Sequence, residues 1–278
     1  MKGQIINLHT DDFYALSNGE VFRLSARGKL KGKGNLLVGD YVEFSNGVVE
    51  KVLPRKNRFI RPSVANADLI VAVVSPVPEP DVLMLDKLVA SAVSEEVPVI
   101  FVVNKSDITS EIYDKIKSEY SAVGQIFAVS ATEKQGLDDL KNALKDKLSV
   151  LAGQSAVGKS SLINALFGTQ LKTGEVSDIG RGRHTTTCSK IYEFGDIRIM
   201  DTPGFAVLET FIELDDLKFC YPEFNEYLGE CKFRGCTHTG EPDCKIQTLA
   251  LEGKIPLGRY ERYKEIYNEL KRRKKFYE

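Results

Sequence analysis

The chain has 278 residues, 42% hydrophobic and 28% charged, with a formal net charge of −1. This length holds a large core and two or three domains; no apolar run reaches the ~18 residues of a membrane span, and Met1-Lys2-Gly3-Gln4 opens no apolar signal region. The charge is unevenly placed. Residues 1–64 carry 11 Lys/Arg against 6 Asp/Glu, residues 259–278 carry 8 against 4, and the middle is strongly acidic. An acidic body with basic ends implies polyanion contacts at the ends. Five cysteines is an odd count. Three of them cluster near a His, which speaks against a secreted disulfide framework and for a metal in a reducing compartment.

Residues 1–60 read as short strands with turn punctuation: Gln4–Leu8, Phe13–Leu16, Glu20–Leu24, Tyr41–Ser45 and Val48–Leu53. Asn18-Gly19 and Asn46-Gly47 are hairpin signals. Five short strands predict a small barrel of the oligonucleotide-binding (OB) type over residues 1–62, and the basic loop Ala26 to Gly34 suits phosphate contacts. Residues 55–66 read as a linker.

From Ala67 the pattern changes. Continuous apolar runs at Asp68–Ser75, Pro98–Val103, Gln125–Val129 and Leu148–Ala152 alternate with helix patterns at Val82–Ser94, Ser110–Tyr120, Leu137–Lys147 and Ser161–Phe167. Buried strands alternating with helices predict an α/β doubly wound parallel sheet over residues 63–212. Lys190–Phe194 and Ile197–Met200 predict an antiparallel pair around Gly195-Asp196. The remaining residues, 213–278, carry a helix pattern near Glu213–Phe219, a Cys/His cluster, and helix patterns at Ile246–Glu252 and Arg259–Phe276.

The chemistry sits at strand ends, where ligands bind in such sheets. Gly153-Gln154-Ser155-Ala156-Val157-Gly158-Lys159-Ser160 reads G-x-x-x-x-G-K-S between a strand and a helix, the context of a phosphate-binding loop. Its glycines let successive N–H groups face a polyphosphate. Lys159 adds charge on the outer phosphates, Ser160 is placed for Mg²⁺, and Ser161 completes the phosphate-contacting positions at the helix start. Asn104-Lys105-Ser106-Asp107 reads N-K-x-D. A carboxylate at Asp107 accepts from guanine N1–H and the exocyclic amine, which adenine cannot match, so it selects GTP and GDP. Asn104 would brace the neighbouring loops and the Lys105 stem would lie on the base. Ser130-Ala131 follows a strand, where a backbone N–H would meet the guanine carbonyl. Asp201-Thr202-Pro203-Gly204 reads D-x-x-G, with Asp201 toward Mg²⁺ and Gly204 toward the γ-phosphate.

His184-Thr185-Thr186-Thr187 lies in a Gly- and Thr-rich segment. Thr185, with Thr186 next, is the candidate to close on Mg²⁺. The Gln that orients water in many GTPases is replaced by Phe205, so intrinsic hydrolysis is expected to be slow, and His184 is the candidate to act in its place. A contact of His184 with RNA or solvent remains the alternative. The motif order is permuted: N-K-x-D and S-A precede the phosphate loop. Joining the original termini and opening new ones before Asp68 gives the same sheet, and D-x-x-G then leads straight into the C-terminal segment, which would move as a lever with nucleotide state.

Cys231-x₄-Cys236-x-His238-x₅-Cys244 offers three thiolates and one imidazole within 14 residues, a closed tetrahedral set for one structural Zn²⁺. Cys188 and Cys220 read as buried small residues or free thiols.

Together these residues resemble the ribosome small subunit-dependent GTPase A (RsgA) family of circularly permuted bacterial GTPases. The resemblance covers the small barrel, the permuted order, the Gly-Arg-Gly-Arg-His-Thr-Thr-Thr segment at 180–187 and the Cys/His cluster. It implies a cytoplasmic GTPase that binds the small (30S) ribosomal subunit, assists its late maturation, and hydrolyses GTP slowly unless the subunit stimulates it. It also implies rRNA contacts through the barrel and the zinc domain. A monomer with no DNA or membrane partner is expected, and so is the absence of an N-terminal tail contribution, because the sequence starts almost at its first strand. Two other readings stay open: a GTP-gated factor acting on another RNA, and an RNA-binding module that uses GTP as a structural ligand. Asn104-Lys105-Ser106-Asp107 disfavours an ATPase.

Overall fold

The computed structural model describes residues 1–8, 12–26, 36–169, 189–201 and 211–274. The loop at 27–35, the segment 170–188 with its His184-Thr185-Thr186-Thr187 candidates, and residues 202–210 with Gly204 and Phe205 lie outside them.

Five strands, β1 (Lys2–Leu8), β2 (Phe13–Ser17), β3 (Glu20–Ala26), β4 (Tyr41–Ser45) and β5 (Val48–Val52), form a closed barrel. Neighbours pair antiparallel except β3 with β5, and β1 closes the ring on β4 through Lys2–Glu43, Gly3–Val42 and Gln4–Tyr41. Alternate side chains point inward, so Ile5, Ala15, Leu24, Val42, Phe44 and Val49 fill the interior.

Residues 55–66 differ from the sequence expectation of a linker. They fold as a small hairpin, β6 (Arg58–Phe59) with β7 (Val64–Ala65). Phe59 and Val64 are buried in the core of the large sheet. Arg55 closes a bidentate pair on the buried Asp40, at 2.6 and 2.8 Å. The basic residues that suggested a solvated linker instead flank an apolar pair too short to show periodicity.

The large sheet runs, in spatial order, β10 (Ile126–Ala128), β9 (Val99–Val103), β8 (Leu69–Val74), β11 (Leu148–Ala152), β13 (Ile197–Asp201) and β12 (Lys190–Phe194). All are parallel except β12, which pairs antiparallel with β13. Every residue of β8, β9 and β11 is buried, as expected of strands covered on both faces. Helices α1 (Val82–Ser94), α2 (Glu111–Tyr120), α3 (Leu137–Leu144) and α4 (Lys159–Phe167) cover them. α3 stops three residues before the expected Lys147, because Asp146 takes a left-handed φ of 57° and turns the chain into β11. Beyond β12, Asn7 of β1 pairs with Lys190, so barrel and sheet form one 11-stranded hydrogen-bonded surface.

The C-terminal segment packs on α1. The helix expected at Glu213–Phe219 is two 3₁₀ turns, Leu217–Cys220 and Pro222–Tyr227, separated where Pro222 cannot continue a helix. They join α5 (Lys245–Leu251) and α6 (Leu257–Lys274) around a core that includes Tyr221, Phe224, Ile246, Tyr263 and Ala90 of α1. Among the described residues no helix is long and apolar enough to cross a membrane.

Candidate nucleotide and metal sites

The parallel strands deliver their motifs to one edge of the sheet. The loop Gly153 to Gly158 follows β11 and starts α4; Asn104 to Asp107 follow β9; Ser130 and Ala131 follow β10; Asp201 ends β13. The structure thus brings together residues from four separate stretches of sequence.

Asn104 is the brace among them. It is 1% exposed, its Nδ2 donates to Val157 O at 2.9 Å, and its Oδ1 accepts from Ala131 N–H at 3.2 Å. One side chain therefore fixes both the phosphate loop and the loop after β10. Lys105, at a left-handed φ of 60°, donates from Nζ to Ala156 O at 2.9 Å and to Val77 O. Asp107, two residues on, is exposed.

The phosphate loop is a tight cradle. A Cβ on Gly153 would lie 2.1 Å from Val73 O, and one on Gly158 would lie 2.4 Å from Asn104 Nδ2. Only glycine lets the loop approach β8 and Asn104 so closely. Lys159 reaches back to donate to Gly153 O at 2.6 Å and Gln154 O at 2.8 Å. Burial pushes its pKa below the ordinary lysine value, and the nearby Asp201 carboxylate opposes that. A half-buried ammonium held by loop carbonyls at the start of a helix, with a buried carboxylate nearby, fits a polyphosphate with a divalent cation. Ser160 stands at the start of α4 and Asp201, 5% exposed, at the end of β13.

Two contacts to these motifs carry no sequence signature. Gln154 Oε1 accepts from Asp81 N–H at 3.0 Å, at the N-terminus of α1. Val77 supplies its carbonyl to Lys105. Both belong to the Pro-rich turn after β8, whose position beside β11 was the only signal available.

The second site is the Cys/His cluster. The ligand atoms of Cys231, Cys236, His238 and Cys244 all lie within 4.8 Å of one another. His238 Nδ1 is 3.5 Å from Cys231 Sγ and 3.4 Å from Cys244 Sγ, and those two sulfurs are 4.0 Å apart. A zinc tetrahedron with Zn–S of ~2.3 Å and Zn–N of ~2.1 Å has edges of about 3.6–3.8 Å. The four residues therefore fit one Zn²⁺ with no position left for water. Burial lowers the His238 pKa, with Lys218 adding to it, and so favours the neutral imidazole that ligates. Burial pushes the Cys236 thiol up to about 12; a divalent cation among the sulfurs would stabilise the thiolates instead.

The His-bearing turn is held by Glu241, which the sequence did not single out. Its carboxylate accepts from Thr237 N–H at 2.8 Å, Thr237 Oγ1 at 2.5 Å, Thr239 N–H at 2.9 Å and Gly240 N–H at 3.2 Å. Burial works against its ionisation, but these donors win and hold the carboxyl at about 2. Tyr263 of α6 anchors the same turn by donating to Thr237 O at 2.6 Å.

Comparison with known proteins agrees with this geometry. Residues 52–211 match the family model described as RsgA GTPase. A Small ribosomal subunit biogenesis GTPase RsgA from Geobacillus sp. (strain WCH70) is 40% identical, over 99% of each chain. One from Agathobacter rectalis is 40% identical, over 94% of this chain and 91% of its own. Among solved structures, YjeQ from Thermotoga maritima superposes with a TM-score of 0.81 at 33% identity, over 97% of this chain and 98% of that one. YloQ, described as a circularly permuted GTPase, gives 0.77 at 30% identity, over 98% and 95%. With its guanine motif ahead of its phosphate loop and relatives matched along nearly all of its length, the chain belongs to the RsgA family of circularly permuted GTPases.

Proposed function

We propose that this GTPase acts in the cytoplasm, as a monomer, on the small ribosomal subunit, assisting its late maturation and hydrolysing GTP slowly until the subunit stimulates it. The observation that carries the reading is the match to relatives named Small ribosomal subunit biogenesis GTPase RsgA along 99% of the chain. Asp107 would select guanine, Lys105 would lie along the base, and Ser130-Ala131 would close its far edge. Residues 153–161 would hold the phosphates, with Lys159 on the outer ones. Ser160 and Asp201 would hold Mg²⁺, which neutralises charge building on the transferred phosphoryl group. Thr185, Gly204 and the water-positioning His184 complete the proposed set. The Zn²⁺ held by Cys231, Cys236, His238 and Cys244 would be structural.

The partner surfaces have a physical basis. Phe219 and Phe233 are 52% and 48% exposed, and each lies under a lysine, Lys218 at 5.3 Å and Lys232 at 5.7 Å. Exposed aromatic rings beside cations suit stacking on unpaired RNA bases. On this reading they and the barrel face rRNA, and no DNA contact is involved. The test is phosphate release from GTP and from ATP, with and without purified small subunits. Slow GTP turnover that rises sharply with subunits, and that Lys159→Ala abolishes, supports the reading. Turnover indifferent to subunits would move the function to another RNA.

A further inference from the structure

The Arg259 guanidinium is fully buried where α6 meets α1, and it has two carboxylate partners. It donates to Asp86 Oδ1 at 2.6 Å and to Glu223 at 2.6 and 3.1 Å. It also lies between the rings of Tyr120 and Tyr221, at 4.8 and 4.6 Å. Asp86, itself 0% exposed, accepts in addition from Arg262 Nε at 2.5 Å and from Tyr120 Oη at 2.6 Å. Arg262 pairs onward with Glu119 of α2. An apolar contact would join two units at less desolvation cost; a buried ionic network stabilises one orientation more than it stabilises association. Here the orientation fixed is that of α1 relative to α6 and α2.

The N-terminus of α1, just over one turn from Asp86, touches the phosphate loop. Asp86 lies five residues beyond Asp81, about 7.5 Å along the helix axis. Asp81 caps α1 by accepting from Met84 N–H at 2.9 Å and donates its own N–H to Gln154 Oε1. The turn leading into α1 supplies Val77 O to Lys105, and Ser75 Oγ steadies that carbonyl at 2.8 Å. Where α1 sits therefore sets the partners of both Gln154 and Lys105.

We infer that Arg259 and Arg262 are positioning residues of the nucleotide site: they act through Asp86 and helix α1 on Gln154, so that docking of the zinc-bearing unit and nucleotide binding favour one another. This rests on the reading of residues 153–161 as the phosphate site. The route is separate from the chain segment that follows Asp201.

Linkage makes the test reciprocal. In the zinc-loaded full chain, saturating GDP should slow amide exchange in α1 and α6 by about fivefold or more relative to the barrel strands, which serve as the control for global stabilisation. Arg262→Gln, at the edge of the network, should weaken GDP about three- to tenfold, and Arg262→Lys, which keeps a cation on Asp86, should recover most of the loss. In a double-mutant cycle with Gln154→Leu, which removes the contact to Asp81, the two effects should be non-additive. Equal α6 exchange with and without GDP overturns the inference. So does an unchanged GDP affinity in Arg262→Gln, or full additivity in the cycle. Wild-type protein that binds no GDP would overturn the nucleotide reading itself.

Discussion

Asn104 Nδ2 stands 2.4 Å from the point where a Cβ on Gly158 would lie, so the guanine motif and the phosphate loop share a contact that leaves no room for a methyl group. The two motifs are 54 residues apart in sequence and depend on each other in the fold. Gly158→Ala should strain the loop through its φ of 93° as well as through the clash. Nucleotide binding should be lost before the fold is. Asn104→Ala, which leaves Val157 O and Ala131 N–H without their side-chain partner, should cost about 1–3 kcal/mol. Melting temperature with and without GDP separates the two effects: Asn104→Ala lowers both values, whereas Gly158→Ala chiefly removes the increment from GDP.

If guanine is read by Asp107, which is exposed beyond the end of β9, removing the exocyclic amine from the base should weaken binding. Inosine nucleotides lack the exocyclic amine, so they forgo one charge-assisted hydrogen bond of about 1.5–3 kcal/mol. Wild-type protein should prefer GDP over IDP by roughly 10- to 100-fold by that arithmetic, and Asp107→Ala should erase most of the preference. Competition titrations measure it directly. Unchanged discrimination in Asp107→Ala would remove this residue from the base site.

Glu241 gives a pH signature. Its carboxyl is held at about 2, below the ordinary value near ~4.3. Its stabilising contribution is therefore fully present above about pH 5 and is lost as pH falls through the window from ~4.3 toward about 2. Glu241→Gln should lower stability at neutral pH by about 1 kcal/mol, and the gap to wild type should shrink as the pH is lowered through that window. Denaturant midpoints at pH 7, 5, 4 and 3 test this. A gap independent of pH would contradict the role of the charge.

Zinc removal should act on the C-terminal unit. The cluster residues Cys236, His238 and Cys244 are buried beside Phe224 and Tyr263, so a bound metal would contribute to folding there. A chelator, or Cys236→Ser, should release one zinc per chain and lower the near-UV signal of the packed tyrosines. Cys220 supplies the contrast. Burial pushes its thiol up to about 12, so alkylating reagents at pH 7.5 should spare it in the zinc-loaded protein and reach it after chelation.

Much of this architecture was legible because its signals are local. The runs at β8, β9 and β11 are long, apolar and bounded, and helix α1 falls at Val82–Ser94 as its periodicity implies. The grouping of Cys231, Cys236, His238 and Cys244, whose ligand atoms lie within 4.8 Å of one another, was readable from spacing alone. What escaped the sequence is non-local. Nothing in Glu241 marks it as the acceptor for a turn that presents His238. Asp86 and Arg259 are separated by 173 residues and meet only because the C-terminal segment folds back on α1. Residues 55–66 were misread because their burial comes from partners elsewhere in the chain, not from a pattern of their own.

The pairing of Asn7 with Lys190 bears on solubility. Strand β12 would otherwise end the large sheet with a bare row of amide and carbonyl groups, the kind of edge on which chains aggregate. The barrel's β1 meets that edge at its Lys190 end, and Ile6, Leu8, Val38 and Phe59 extend the apolar contact across the join. Cutting the chain after the barrel would uncover the edge and the apolar strip together. A fragment beginning near residue 63 should precipitate or pair with itself, and its turnover would then report the exposed edge as much as the loss of the barrel.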